Sequence, residues 1–188
     1  NYHDSEPDIG GVAKHPFLPL SGSGFMICWQ RDYTGSIFHA NTDTSSVWAK
    51  TLDVYGGSLG ADIPVGFNFQ DSHDHDRPRI QQMSERGGSF LSSGDTYFVL
   101  AHEYYPDNDI RWQIRARCIG FNNGGIVQPG VLISRNSLAH RFLGHIAGSN
   151  GRLLLGYTDL SLGSTSVSKP ANRAGDTVLA QRITWTPG

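Results

Sequence analysis

The feature that most constrains this chain is an internal repeat of strand-like segments. Three stretches of the 188 residues carry the same order of apolar and turn-forming residues. The sharpest match reads aliphatic, any residue, Ala, long polar residue, any residue, aliphatic, and it occurs at 47–52, 114–119 and 178–183. In a repeat protein, each unit buries its apolar side by stacking on its neighbours. The sequence therefore predicts three stacked units.

Each unit shows further strand signals in the same order. Near-continuous apolar runs at 25–29, 97–101 and 153–157 are typical of strands covered on both faces. We expect each of these second strands to follow a first strand, and the predicted first strands are 16–18, 78–80 and 140–142. Gly-rich turns favour a fourth strand at 62–65 in the first unit and at 131–133 in the second. No sustained period of 3.6 residues occurs, so no long helix is predicted.

The third unit ends after its third strand, and the N-terminus carries a spare strand at 8–12. An unpaired strand edge is a template for aggregation, so native proteins cover such edges. We therefore expect 8–12 to form the outer strand of the third unit, beside 178–183, in the same or in a neighbouring copy.

Units of four strands resemble the blades of β-propellers. Two motifs, Trp29-Gln30 and Ala180-Gln181-Arg182-Ile183, together with Trp48-Ala49-Lys50-Thr51-Leu52-Asp53, are similar to those of bacterial extracellular propeller-like repeats. The resemblance implies an all-β fold of three four-stranded antiparallel blades and an extracellular or secreted location. It implies no single activity, because such folds carry many functions. The chain is interpreted as one domain, 1–188, whose units span about 13–65, 75–133 and 138–188 plus 1–12.

The sequence departs from known propellers in two ways. It has long insertions at 31–46, 66–76 and 159–176, and it lacks the Asp-box, WD40 and kelch signatures. Closed propellers typically have four to eight blades, and three is too few. We therefore expect the chain to assemble with copies of itself, by strand donation or by completion of blades. The alternative is that it is a segment of a longer chain.

Composition excludes several classes of function. The net charge is −2, which gives no basic field for nucleic acid. No apolar run approaches 18 residues, so no membrane insertion is predicted. Only two cysteines occur, Cys28 and Cys118, both inside apolar strands. We expect two buried free thiols, with one disulfide as the alternative. The chain begins at Asn1, which is expected of a processed protein or of a piece of a longer one.

The densest group of metal-ligating residue types lies at 71–76. In an extended strand His73 and His75 point to one face, and Asp74 and Asp76 to the other. Two imidazoles on one face could begin a zinc site, which needs a third ligand such as His102 or Glu103. The carboxylates could instead bind calcium. The interpretation that we favour is a solvated loop between two blades, with no cofactor.

A carbohydrate site is suggested by aromatic residues that precede polar, turn-forming ones. Aromatic rings stack on sugar rings, and carboxylates and amides bond to sugar hydroxyls. The residues concerned are Tyr104, Tyr105, Asp107, Asn108 and Asp109. The alternative is that these aromatics pack between blades.

An enzymatic alternative uses carboxylates at the ends of the second strands. Propeller-type glycoside hydrolases place an acid and a nucleophile or base on either side of a glycosidic bond. The candidates here are Asp32, Glu103 and Asp159, although their alignment within the repeat slips by one residue. Because no nucleophile–base pair stands at a recognisable spacing, we favour a non-catalytic extracellular module that self-assembles and binds carbohydrate.

Overall fold

The computed structural model describes residues 2–13, 24–33, 44–66, 74–85, 96–105, 112–121, 126–132, 140–149, 152–160 and 177–184. These residues form β-strands and turns and no helix. The strands are β1 (Tyr2–Ala13), β2 (Gly24–Tyr33), β3 (Thr44–Asp53), β4 (Ile63–Gly66), β5 (Asp74–Glu85), β6 (Thr96–Tyr105), β7 (Gln113–Gly120), β8 (Ile126–Leu132), β9 (His140–Ser149), β10 (Arg152–Leu160) and β11 (Thr177–Thr184).

Three antiparallel sheets follow one another along the chain. The first sheet has the order β1-β2-β3-β4, the second β5-β6-β7-β8 and the third β9-β10-β11. The second sheet lies between the other two, since β5 contacts β1, β2 and β3 on one side and β9 on the other. The prediction of an all-β chain built from consecutive antiparallel sheets is confirmed. Within the described ranges, the third sheet has three strands where the first two have four.

The repeat that was read from the sequence is present in the strand register. Ala49, Ala116 and Ala180 lie in the third strands of their sheets, opposite Cys28, Ala101 and Gly156 of the second strands. Small residues therefore face each other at the same place in all three sheets. This register defines which positions are equivalent from one sheet to the next.

The first strands share an irregularity at one place. In β1, Glu6 and Pro7 together lie opposite the single residue Trp29 and form a bulge. In β5, Arg77 and Pro78 form a bulge at the equivalent place. Glu6 and Arg77 both have positive φ angles, 49° and 46°. Proline has no N–H to give to a ladder, so a bulge accommodates it. In β9 a single residue, Gly144, makes the corresponding register shift.

The N-terminal segment is not where the sequence led us to expect it. Residues 8–12 lie in β1, which pairs with β2: Asp8 is opposite Cys28 and Ile9 is opposite Ile27. The segment is thus the first strand of the first sheet, and the prediction that it completes the third unit is wrong for this chain. A Cβ on Gly10 would lie 2.8 Å from Phe98 and 2.9 Å from Ile80, so β1 also packs closely on the second sheet. The predicted strand at 16–18 lies outside the described residues.

Two apolar layers hold the three sheets together. Between the first and second sheets lie Met26, Cys28, Val47, Ala49, Ile63, Val65, Ile80, Phe98, Leu100, Ile119 and Phe121. Between the second and third sheets lie Met83, Val99, Ala101, Ile114, Ala116, Leu143, Ile146, Leu153, Leu155 and Tyr157. The central strand β6 is therefore covered on both faces, as its apolar run predicts.

Both cysteines are buried free thiols, as predicted. Burial, and secondarily the negative charge of Asp8, raises the pKa of the Cys28 thiol and keeps it protonated. In the part of the chain that the structure describes, no helix is long and apolar enough to cross a membrane.

Candidate functional site

A histidine pair lies between the first and second sheets. Nδ1 of His75 in β5 is 3.0 Å from Nε2 of His102 in β6, and both side chains are buried. The His75 ring also packs against Tyr104, with ring centroids 5.1 Å apart. Gly66 at the end of β4 closes the site, because a Cβ there would lie 2.8 Å from His75 Nδ1 and 3.1 Å from His102 Nε2. Only glycine leaves room for the pair.

The surroundings of the pair favour the uncharged form of His102. Burial lowers the pKa of His102 well below its usual value, and the nearby His75, Arg117 and Arg115 lower it further. A hydrogen bond between two neutral imidazoles needs one donor nitrogen and one acceptor nitrogen, so the two rings take complementary tautomers. The pair therefore links two strands, and its His102 ring carries no charge into the core.

Two polar side chains support β5 where it enters this layer. The hydroxyl of Ser45 in β3 donates to Asp76 Oδ1. The Ser45 hydroxyl oxygen also accepts a hydrogen bond from the backbone N–H of His75 at 3.2 Å. These bonds fix the start of β5 against the first sheet. Residues 74–76 are thus part of a strand, and for them the interpretation as a solvated loop is wrong.

The predicted metal ligands do not assemble into a site within the described residues. No group of three His, Cys, Asp or Glu side chains there lies close enough to hold a cation. His73 lies outside the described residues, and of Asp74 only the strand position opposite Tyr105 is described. His75 does meet His102, one of the two third ligands that we named. However, the two facing nitrogens bond to each other, so these two atoms cannot both bind one cation.

A buried carboxylate, Glu103 of β6, joins the second sheet to the third. Its Oε1 accepts a hydrogen bond from the backbone N–H of Leu143 at 2.9 Å and lies 3.9 Å from a guanidinium nitrogen of Arg77. Gln30 holds the equivalent position in the first sheet, and its Oε1 accepts the backbone N–H of Arg77 at 3.0 Å. Each bond reaches the bulged part of the next sheet's first strand. Glu103 is thus a repeated structural link between sheets rather than an exposed strand-end carboxylate.

The three candidate carboxylates of the enzymatic alternative hold different places in the repeat. Asp32 lies in the layer between the first and second sheets, where it accepts hydrogen bonds from Gln30 and Ser5. Glu103 lies in the other layer, so the second sheet separates the two. Asp159 is in β10, opposite Arg141 and Thr177, and its side chain is not described. The structure therefore does not bring Asp32 and Glu103 to the two sides of one bond.

The two tyrosines of the predicted carbohydrate site have different environments. Tyr104 is buried between the first and second sheets, and the guanidinium carbon of Arg115 lies 3.4 Å from its ring centroid. This residue therefore packs between two sheets. Tyr105 is partly exposed, and its ring centroid is 5.2 Å from that of the buried Trp112. Asp107, Asn108 and Asp109 lie outside the described residues.

Sequence reasoning missed the residues that link the sheets. The sequence predicts His75 and His102 only as parts of a metal site, and Gln30 only as part of a repeat motif. One signal could have found the bulge that these residues support: the repetition of proline, a charged residue and isoleucine at 7–9 and 78–80. Comparison of the chain with protein-family models, with curated proteins and with solved structures finds no match.

Proposed function

We propose that this chain is a non-catalytic, extracellular β-propeller module that assembles with copies of itself and binds carbohydrate. The observation that carries the proposal is the stack of three repeated sheets, of which the third is one strand shorter than the others among the described residues. An uncovered strand edge or sheet end is a surface on which another strand or sheet can continue the structure. A second copy of the chain could continue the stack with its own sheets.

A non-catalytic role is supported by how the ionisable core residues are used. His75 and His102 bond to each other, and Glu103 accepts a backbone hydrogen bond across a sheet interface. All three are buried. A general acid or base must come within hydrogen-bond reach of a substrate. These groups stabilise the stack, and their removal affects folding rather than turnover.

The carbohydrate part of the proposal is supported by Tyr105. Its ring lies at the end of β6 and packs against the Trp112 ring. An aromatic ring that is fixed by its neighbour and stays partly exposed offers a stacking surface at low entropic cost. Asp107, Asn108 and Asp109 follow Tyr105 closely in the sequence, and carboxylates and amides are the groups that bond to sugar hydroxyls.

Two measurements test the proposal. Native mass spectrometry should give a species larger than the 20.6 kDa of the single chain. Immobilised glycans should retain the protein, and retention should fall in Tyr105→Ala and Asn108→Ala but not in the control Tyr55→Ala, which changes an exposed tyrosine on the β3–β4 turn.

Three results would contradict the proposal. A monomeric mass at all concentrations contradicts self-assembly, and the absence of retention on any glycan contradicts carbohydrate binding. Turnover of a polysaccharide that is lost in Glu103→Gln or Asp159→Asn contradicts the non-catalytic role and supports the glycoside hydrolase alternative.

A further inference from the structure

The first and third sheets each turn one face away from the second sheet. We name the outward face of the first sheet the leading face; it includes Ile9, Ile27 and Phe25. The outward face of the third sheet is the trailing face; it includes Leu154 and Val178. The register of the repeat gives each of these residues an equivalent inside the stack, so the two outward faces can be compared with faces that are covered.

The leading face has the residue types of a covered face. Ile9 lies opposite Ile27 as Ile80 lies opposite Leu100 and as Ile146 lies opposite Leu155. Ile80 and Ile146 are buried against the preceding sheet, whereas Ile9 is 64% exposed. An aliphatic residue that is buried at this position in two sheets is therefore uncovered in the first.

The trailing face shows the same contrast. Leu154 holds the position of Met26 and Val99, and both of those are buried against the following sheet. Leu154 itself is 54% exposed. Val178 holds the position of Val47 and Ile114, which are fully buried, and it is 80% exposed.

We infer that the leading face of one copy packs on the trailing face of a second copy, in the way that the sheets pack within the chain. Inside the chain, the face that each sheet turns toward the following sheet packs on the face that the following sheet turns toward it. The trailing face is of the first kind and the leading face is of the second, so the two can pack on each other. The inference rests on the self-assembly that is proposed above and names its surface and its partner, a second copy of this chain. Two copies contribute six sheets, the one multiple of three within the four to eight of closed propellers.

This interface is heterologous, since different surfaces of the two copies meet. Variants that each block one of the two faces therefore give a result that edge-to-edge pairing of identical strands would not give. Ile9→Asp blocks the leading face and leaves the trailing face intact, and Leu154→Asp does the reverse. Leu154 lies in β10, which is paired on both edges by β9 and β11, so its substitution does not alter a free strand edge.

The experiment measures the mass of each protein by light scattering over a range of concentrations. We expect a dimer for the unaltered chain. In each single variant the dissociation constant should rise roughly a hundredfold or more, because each of the two interfaces of the ring loses the burial of one aliphatic side chain. A one-to-one mixture of the two variants should recover a dimer, because one intact interface forms between them. Leu59→Asp is the matched control: Leu59 is 48% exposed on the β3–β4 turn, and its variant should remain dimeric.

Each variant replaces an exposed side chain, so we expect all three to fold. Thermal unfolding and circular dichroism check this. An unaltered chain that is monomeric contradicts the self-assembly itself. A dimer that neither Ile9→Asp nor Leu154→Asp weakens, or a mixture that stays monomeric, contradicts the face-to-face interface alone. A mass above that of the dimer contradicts the ring of two copies.

Discussion

The hydrogen bond from the Leu143 backbone to Glu103 should contribute measurably to stability. The test compares two substitutions of similar volume, Glu103→Gln and Glu103→Met. Glutamine keeps an acceptor oxygen, and Gln30 performs the same task between the first and second sheets. Methionine fills the space but leaves the buried N–H of Leu143 without its acceptor.

The expected difference follows from the geometry. A buried donor without a partner costs about 1–3 kcal/mol. The ion pair with Arg77 at 3.9 Å adds at most about 1 kcal/mol, because the Arg77 side chain is 40% exposed to water, which screens the attraction. We therefore expect Glu103→Met to lower the free energy of unfolding by roughly 2–3 kcal/mol. Glu103→Gln should lower it by less than about 1 kcal/mol.

Urea denaturation at pH 7, followed by tryptophan fluorescence, gives both values from the midpoint and slope of each transition. For a chain of this length a change of 2 kcal/mol also shifts the melting temperature by about 4–8 °C. Equal stability of the two variants would refute the reasoning, since it would mean that the Leu143 N–H does not depend on this acceptor.

Three further predictions concern the histidine pair. Because the pKa of His102 is depressed in the folded state, stability should be constant above about pH 6.5 and fall below it by up to about 1.4 kcal/mol per pH unit; urea midpoints from pH 7.5 to 5 should show this slope, and His102→Gln should reduce it. Gly66→Ala should destabilise the fold by about 1–3 kcal/mol, through contact with His75 and His102, while thermal melts of the control Gly60→Ala stay unchanged. Added zinc, calcium or EDTA should leave the melting temperature unchanged, because the facing nitrogens of the pair are already bonded; a rise with either cation would contradict that assignment.

Much of the fold follows from local pattern. The apolar runs at 25–29, 97–101 and 153–157 lie in β2, β6 and β10, and the repeated alanine pattern lies in β3, β7 and β11. These predictions succeed because residue alternation and apolar content depend on the strand itself. The bounds of the second unit's fourth strand were predicted less well, because β8 begins at Ile126 and the prediction was 131–133.

The candidate site was predicted less well, for a physical reason. The sequence identified His75, His102 and Glu103 as notable residues, and the structure does bring two of them together. The sequence could not show that the histidines bond to each other or that Glu103 bonds to a backbone N–H of the third sheet. Both contacts join residues from different strands or sheets, and the residue spacing along the chain does not encode them.

The sequence by itself determined that this chain forms strands and that the strands repeat in three units. Only the tertiary structure decided which strands pair and which faces are covered. The strand at 8–12 illustrates the difference: its pattern predicts a strand, but its partner is β2 rather than β11. Strand pairing depends on the free energy of whole sheets packed together, so a segment with the same local pattern can stand at either end of the stack until that packing is known.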